Sequence, residues 1–477
     1  MADPRARRTP PRRAGGRPPR RAGKVDAARL AAYDVLAAVR EQDAYTNLVL
    51  ATVLRNAGLT GRDAAFATEL VSGTVRRQGT YDAILAANLD RPLAKVDPAV
   101  LDALRLGAHQ VLAMRVPSHA AVGTTVELVR DRVGHGPAGF VNAVLRKVAA
   151  HDLAGWVRRV APDPTRDPTG FAAIAHSHPR WIVDAFAAAL GAADATDELE
   201  ELLAADNAPP KVTLVARPGV ATVAELVAAG GTASARSPYA VELGGGDPHD
   251  VPAVAEGRAG VQDEGSQMVA VALAQARLGG RDERWLDLCA GPGGKSALLA
   301  ALARGRGARL LASERLPHRA ELVRTASRAV SGGMLGVVTA DGTRPAWAPG
   351  TFDRALVDAP CSGLGALRRR PEARWRRTPA DLDDLVPLQK ALLGSALDSV
   401  RSGGLVGYAT CSPVLAETSG VVSEVLARRD DVVLEDAAVL FEVPALGADR
   451  MPLAGTVQLW PHRHHTDAMF FALLRRR

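Results

Sequence analysis

The stretch Arg284-Trp285-Leu286-Asp287-Leu288-Cys289-Ala290-Gly291-Pro292-Gly293-Gly294-Lys295-Ser296 decides how the chain is organised. A short apolar run breaks into glycines and then into the helical pattern of Ser296 to Ala303, as when a buried strand feeds a tight turn and a helix N-terminus. Glycines let the backbone approach a bound molecule, and the unpaired N–H groups of a helix start favour a carboxylate or phosphate. The stretch therefore reads as a ligand cradle.

Three kinds of cradle compete, and spacing separates them. A dinucleotide pattern starting at Gly291 and Gly293 needs its third glycine where Ser296 stands. A phosphate loop is matched by Gly294-Lys295-Ser296 but needs a glycine where Cys289 stands. The third reading is the first loop of an S-adenosylmethionine fold, with glycines passing under the ligand and the methionine carboxylate meeting backbone N–H groups or Lys295. Downstream the chain alternates strand and helix, which predicts a parallel sheet covered by helices. Candidate strands are Arg309 to Ser313, Leu335 to Thr339, Arg354 to Val357 and Leu405 to Ala409, with Glu314, Asp341, Asp358 and Thr410-Cys411 at their carboxyl ends. Ligands of open α/β sheets bind outside those ends. Glu314, about twenty residues beyond the turn, suits the hydroxyls of a ribose. Asp341 is a candidate for the adenine, and Asp358 for the ligand's ammonium group or the reacting base.

Upstream, residues 25 to 150 read as all-α. Leu50, Val53, Leu54 and Ala57 fall at helical spacing, Thr60 and Asp63 have capping-box spacing, and Asp97-Pro98 places a cap and a first-turn proline. Residues 151 to 207 read as a helical connector. Residues 208 to 262 read as a small α+β subdomain, with strands around Val212 and Leu214 and at Tyr239 to Leu243, and a helix from Ala221 to Ala229. Gly260 to Met268 opens the helix before the Trp285 strand, within a catalytic domain at 263–477. Residues 1 to 24 form a basic arm, expected to be disordered, with nine basic residues against Asp3. The whole chain of 477 residues carries +7, so the body beyond that arm is nearly neutral and nucleic-acid contact there must come from local patches.

Cys289, Cys361 and Cys411 are the only cysteines, too sparse for a disulfide framework and too widely spaced for zinc; no metal is expected. No apolar run is long enough to cross a bilayer, so a cytoplasmic protein acting as a monomer is expected. Asp358-Ala359-Pro360-Cys361-Ser362-Gly363 and Tyr408-Ala409-Thr410-Cys411-Ser412 set two thiols at the ends of successive strands. A thiolate added to pyrimidine C6 turns C5 into an enamine-like nucleophile towards a methyl sulfonium, which is covalent catalysis. Directly after Cys361, Arg368, Arg369, Arg370, Arg374, Arg376 and Arg377 flank Trp375, a mixture suited to phosphates and a stacked base; these seven are candidate RNA contacts.

Two resemblances follow from these blocks. Residues 63–74, 103–108, 116–122 and 139–146 resemble, in order, the blocks of the NusB-like RNA-binding domain. Residues 287–295, 358–365, 408–412 and 461–471 resemble the Sun-type, RsmB-like family of RNA cytosine-5 methyltransferases. The resemblance implies a multidomain chain: an all-α NusB-like domain, a small α+β subdomain and a C-terminal α/β Rossmann-like methyltransferase domain. It implies S-adenosyl-L-methionine bound by Cys289, Ala290, Gly291, Pro292, Gly293, Gly294, Lys295, Glu314, Asp341 and Asp358. In such enzymes the later cysteine, here Cys411, is the nucleophile, and the Pro-Cys cysteine, here Cys361, assists product release. DNA cytosine methyltransferases use a Pro-Cys nucleophile, so chemistry alone leaves the two roles exchangeable. The sequence departs slightly from the family at Thr466 to Phe471 and at Glu417-Thr418. The layout implies small-subunit 16S ribosomal RNA as partner, with transfer RNA as the alternative. A phosphate-loop NTPase and a non-catalytic NusB-like RNA-binding factor are the rivals from other classes.

Overall fold

The computed structural model describes residues 25–42, 45–441 and 451–477; the basic arm 1–24 lies outside them. Helices run from the start of this region: Ala27–Gln42, Thr46–Asn56, Gly61–Arg76, Gln78–Ala86, Pro98–Leu112, Ser118–Arg132 and Ala138–Val148. Their apolar stripes meet in one core around Leu70, Tyr81, Ile84, Leu104 and Leu145, and Trp156 from the next helix is buried in the same cluster. Asp97 caps as its position predicts, its carboxylate accepting from the N–H groups of Ala99 and Val100 at 2.8 and 3.3 Å. Thr60 occupies the N-cap position of its helix but makes no side-chain capping bond, so the capping-box spacing with Asp63 located the helix start without supplying the box.

The connector helices Pro168–Ala175, Arg180–Gly191 and Leu199–Ala205 pack Ile182, Phe186, Leu190 and Leu203 against Leu364, Leu367, Val414 and Trp460 of the C-terminal domain. The small subdomain is a four-stranded antiparallel sheet in the order β2-β3-β1-β4, from β1 (Val212–Ala216), β2 (Gly231–Ala233), β3 (Ala240–Leu243) and β4 (Ala259–Val261), with a helix at Val223–Ala228. β2 and β4 have three residues each, too few to show a period of two. Gly260 and Val261 thus belong to a strand, and the following helix starts at Glu264, where the Asp263 carboxylate caps the N–H of Gly265 at 2.9 Å.

The C-terminal domain is built on β5 (Arg284–Asp287), β6 (Arg309–Glu314), β7 (Met334–Thr339), β8 (Phe352–Asp358), β9 (Val400–Thr410), β10 (Val432–Glu435), β11 (Val457–Gln458) and β12 (Phe470–Arg476). Their order is β10-β12-β9-β8-β5-β6-β7, with β11 alongside β12. Strands β5 to β9 are parallel, as the strand–helix alternation predicts. β10 and β12 add an antiparallel edge that the alternation does not reveal. Helices cover both faces: Glu264–Gln275 and Gly294–Gly305 over one core, Asp381–Ser399 and Ser419–Leu426 over the other. From β5 the chain steps outwards to β6 and β7 and then returns to β8 on the other side of β5. That reversal opens a crevice at the carboxyl ends of β5 and β8.

Three parts of the chain meet at Arg374, which is fully buried. Its guanidinium donates to the carbonyls of Arg76 and Ser177 at 3.2 and 3.0 Å, to Asn207 Oδ1 at 2.8 Å and to the Asp206 carbonyl at 3.3 Å. Removing a buried charged donor that serves several acceptors costs about 3 kcal/mol. Arg374→Met is therefore expected to lower the thermal midpoint and to speed amide exchange around residues 76, 177 and 207. The salt dependence of RNA binding should stay at the wild-type slope, which a phosphate-contacting arginine would reduce by about one.

Candidate active site

The turn after β5 is held by backbone bonds, Leu288 N–H to Leu356 and Ala290 N–H to Ser313, each at 2.9 Å. Gly293 caps the next helix with φ +110°, and a Cβ there would lie 2.8 Å from Ala326 Cβ and 2.9 Å from Val323 Cα. Glycine is required twice over, by backbone conformation and by space. Burial pushes Asp287 up to about 7, and Ser296 Oγ–H donates to its Oδ2 at 2.6 Å, tying the helix start to the strand end.

Glu314 ends β6 and turns back under the glycines. Its carboxylate accepts from the N–H groups of Gly291 at 3.1 Å and Leu316 at 2.9 Å, while Arg319 donates to the Gly291 carbonyl at 2.6 Å. A Cβ on Gly291 would lie 2.3 Å from Glu314 Oε2. Lys295 reaches across the crevice to Asp358 at the end of β8, at 2.9 Å, and to Ser266 Oγ at 3.1 Å. Burial alone would pull Lys295 down, but the Asp358 carboxylate outweighs it and holds the ammonium above its ordinary value. Gln262 comes from the edge of the small subdomain and lies against Gly294. It is 8% exposed, and its side-chain amide finds no hydrogen-bond partner among the described residues. These groups fit an adenosyl donor with an amino-acid tail: a carboxylate for ribose hydroxyls, a floor without side chains, free helix N–H groups and an unpaired amide. Asp341 stands exposed beyond β7, where its Oδ1 accepts from Thr343 N–H and Oγ1–H at 2.9 and 2.8 Å.

Cys361 and Cys411 come together from the ends of β8 and β9, with their sulfur atoms 3.5 Å apart. The hydrogen bond from Cys361 lowers Cys411 despite burial and the Asp358 charge, and Lys295 and Arg370 help. The same bond, followed by burial, pushes the Cys361 thiol well above its ordinary range. The two shifts run in opposite directions, so the surroundings favour thiolate character at Cys411 over Cys361. Cys289 is pushed well above the thiol range by burial and then by the charges of Asp287, Asp358 and Glu314, so it lines the cradle as a neutral thiol.

The structure puts most of the run from Arg368 to Arg377 at a seam between domains. Arg374 is spent on the three-way junction described above. Trp375 packs against the N-terminal helical core and donates Nε1–H to the Val75 carbonyl at 2.8 Å. Arg368 is buried and donates to the His465 carbonyl, Arg369 bridges Asp263 and Asp467, and Arg376 reaches the Val39 carbonyl. Arg377 pairs with Asp381 and donates to the Ser362 carbonyl. A guanidinium fork satisfies carbonyls and carboxylates as readily as phosphates, so composition does not separate the two uses. Arg370 alone of the seven is exposed, its guanidinium 5.1 Å from the ring centre of Tyr45, and its charge is felt at Cys411.

A family model described as 16S rRNA methyltransferase RsmB/F matches residues 277–475, and one described as the NusB family matches residues 26–150. A Mycobacterium tuberculosis protein (strain H37Rv) described as a methyltransferase is 54% identical over 453 residues, spanning 95% of this chain and 97% of its own. The ribosomal RNA small subunit methyltransferase B of Xanthomonas campestris is 32% identical over 468 residues, spanning 94% and 97%. Among solved structures, PH0851 superposes with a TM-score of 0.77 at 21% identity over 95% of this chain and 99% of that one. NSun6 from Pyrococcus horikoshii with SFG gives 0.52 at 16% identity over 62% and 98%. At these identities the two structures speak for the fold alone.

Alkylation by iodoacetamide, read by mass spectrometry across pH, tests the resting charge state. Cys411 is expected to react with a midpoint below the ordinary thiol value, and Cys361 and Cys289 above it. Cys361→Ala removes the donor that favours the anion, so the Cys411 midpoint moves up; one unit makes it about tenfold slower near neutrality. An unmoved midpoint would contradict the pairing.

Proposed function

The chain belongs to the Sun-type RsmB/F family of methyltransferases with a NusB-like N-terminal domain, and on that premise we propose that it methylates C5 of a cytosine in RNA, with small-subunit 16S ribosomal RNA as the substrate. The observation that carries this reading is the Cys361–Cys411 pair, 3.5 Å apart beside the Lys295–Asp358 ion pair. S-adenosylmethionine, when bound, supplies an electrophilic methyl group. The residues to hold it are the turn from Cys289 to Lys295, with Glu314 for the ribose, Asp341 at the rim towards the adenine, and Gln262 with the helix N-terminus for the amino-acid end.

The protein's own part begins at Cys411. Its thiolate adds to C6 of the pyrimidine, a C6–S bond forms, and the electron pair of the C5–C6 double bond becomes available at C5, the carbon that takes the methyl. Asp358, fixed by Lys295, is placed to hydrogen-bond the reacting ring or the donor's ammonium group. Release reverses the addition: the C5 proton leaves to a base, its bonding pair restores the C5–C6 double bond, and the C6–S pair returns to Cys411. Cys361 assists this step: its S–H lies within reach of the departing Cys411 sulfur and can hydrogen-bond the thiolate as the C6–S bond breaks. The base must leave its stack to reach sulfur recessed between strand ends. Arg370, exposed, stacked near Tyr45 and close enough for its charge to act on Cys411, is our candidate for guiding such a nucleotide.

Cys411→Ala is expected to abolish methyl transfer to 16S RNA while retaining S-adenosylmethionine binding in calorimetry. Cys361→Ala should accumulate a protein–RNA adduct that survives denaturing gels. Glu314→Ala, which removes a charged acceptor, should weaken S-adenosylmethionine by about 2 kcal/mol, some thirtyfold in Kd. Full methyl transfer by Cys411→Ala would refute the reaction, and tight binding of ATP with magnesium in place of S-adenosylmethionine would return the glycine turn to the phosphate-loop reading.

A further inference from the structure

Behind the two thiols lies a carboxylate that the reaction itself does not use. Glu417 ends the short 3₁₀ turn Leu415–Glu417 and has no solvent exposure. Its Oε1 accepts from the Ser362 N–H at 2.7 Å and from Gln389 Nε2 at 3.0 Å. Its Oε2 accepts from the hydroxyls of Ser362 and Ser412 at 2.5 and 2.6 Å. Ser362 follows Cys361, and Ser412 follows Cys411. Gln389 also donates to the carbonyl of Pro360, the residue before Cys361, at 2.8 Å, and the Tyr408 hydroxyl in β9 donates to the Glu417 carbonyl at 2.8 Å. One carboxylate therefore grips both cysteine loops, each through the residue next to its sulfur.

Taking the two-thiol reaction above as given, we propose that Glu417 is a positioning residue for that pair: it pins the Cys361 and Cys411 loops to one buried anchor and so fixes the separation of their two sulfur atoms. Its burial denies it any contact with a substrate. Four donors aimed at its two oxygens hold the carboxylate in a single orientation. A second tie works alongside it. Gly365 N–H donates to the Cys411 carbonyl at 2.9 Å, and a Cβ on Gly365 would lie 2.9 Å from that oxygen, so the loop after Cys361 lies directly on the Cys411 backbone. The Glu417 charge adds to the effects that keep the proton on Cys361, after its hydrogen bond to Cys411 and its burial.

The donor set distinguishes placement from charge. In Glu417→Gln the amide oxygen can take the Oε1 position, where the two N–H donors cannot reverse. The NH2 group then faces two serine hydroxyls, which can rotate to accept. The clamp survives without the charge. The experiment compares iodoacetamide rates at Cys411 and Cys361 in the full-length protein without RNA, for wild type, Glu417→Gln, Glu417→Ala and Ser412→Ala. Glu417→Ala is expected to lower the Cys411-to-Cys361 rate ratio by about tenfold and Ser412→Ala by about threefold, the effect of one hydrogen bond, while Glu417→Gln restores most of it. With RNA and S-adenosylmethionine present, Ser412→Ala should lower kcat and leave KM for the RNA unchanged. If Glu417→Ala does not fold, Ser412→Ala decides. A wild-type ratio in Ser412→Ala, or a Glu417→Gln variant as impaired as Glu417→Ala, would overturn the proposal. The thiol readout needs no methyl transfer, so its failure is distinct from that of the reaction, which Cys411→Ala tests.

Discussion

The parallel register of β8 against β9, which sets Asp358 opposite Ala409, is the constraint on which the site depends. It brings the ends of two strands, fifty residues apart at their cysteines, into one layer, so that the loops leaving them must share space. Close packing leaves little freedom in that shared space. Gly365 accepts the backbone of the other loop because it has no Cβ, and β12 closes the far side of β9 by pairing Phe470 with Thr410. The sulfur atoms meet because the backbones beneath them have nowhere else to lie. A sheet edge in place of β12 would leave β9 open to solvent and the Cys411 loop unsupported on that side.

Electrostatics then gives two chemically identical groups unlike surroundings. Burial raises both thiols, but the surrounding charges are unevenly placed: Lys295 and Arg370 act on Cys411, whereas Glu417 acts on Cys361. With the two sulfur atoms in hydrogen-bond contact, the protonation of one is coupled to that of the other, a situation familiar from paired carboxylates. The cofactor cradle is part of the same arrangement. Lys295 is claimed by Asp358 at rest, so a ligand carboxylate arriving at the helix start would meet backbone N–H groups and Gln262 before it meets a free ammonium.

What was legible in the sequence follows from how far apart the deciding residues lie. The glycine turn, Glu314 and both cysteine loops could be read because each is a local pattern, a strand running into a turn with a polar residue at its end. β2, β4 and β11 are too short to carry a period, and β10 and β12 form an antiparallel edge that strand–helix alternation does not announce. The seam contacts of the arginine run were illegible for a related reason. Whether a guanidinium faces phosphate or carbonyl depends on Ser177, Asp206 and Asn207, which approach it only after folding. Gln262 and Glu417 carried no signal as isolated residues either; Gln262 becomes conspicuous as a buried amide without a partner, and Glu417 through donors that arrive from the separate segments of Ser362, Gln389 and Ser412.

Relocating those arginines to a seam changes what the N-terminal domain can contribute. Arg374, Trp375 and the bond from Thr46 N–H to Glu372 fasten it to the loop that leaves Cys361, so it is a fixed neighbour of the site. A domain on a flexible linker would add affinity through effective concentration but would leave the target base free to sample many positions. A domain locked at one distance instead favours a substrate whose two contact points already match that spacing, and it avoids the entropic cost of ordering the linker on binding. Folded RNA offers such fixed spacings, whereas an unstructured strand does not. Under the proposed reaction, selection of the substrate then rests on shape, and Arg370 and Tyr45 are exposed beside that seam.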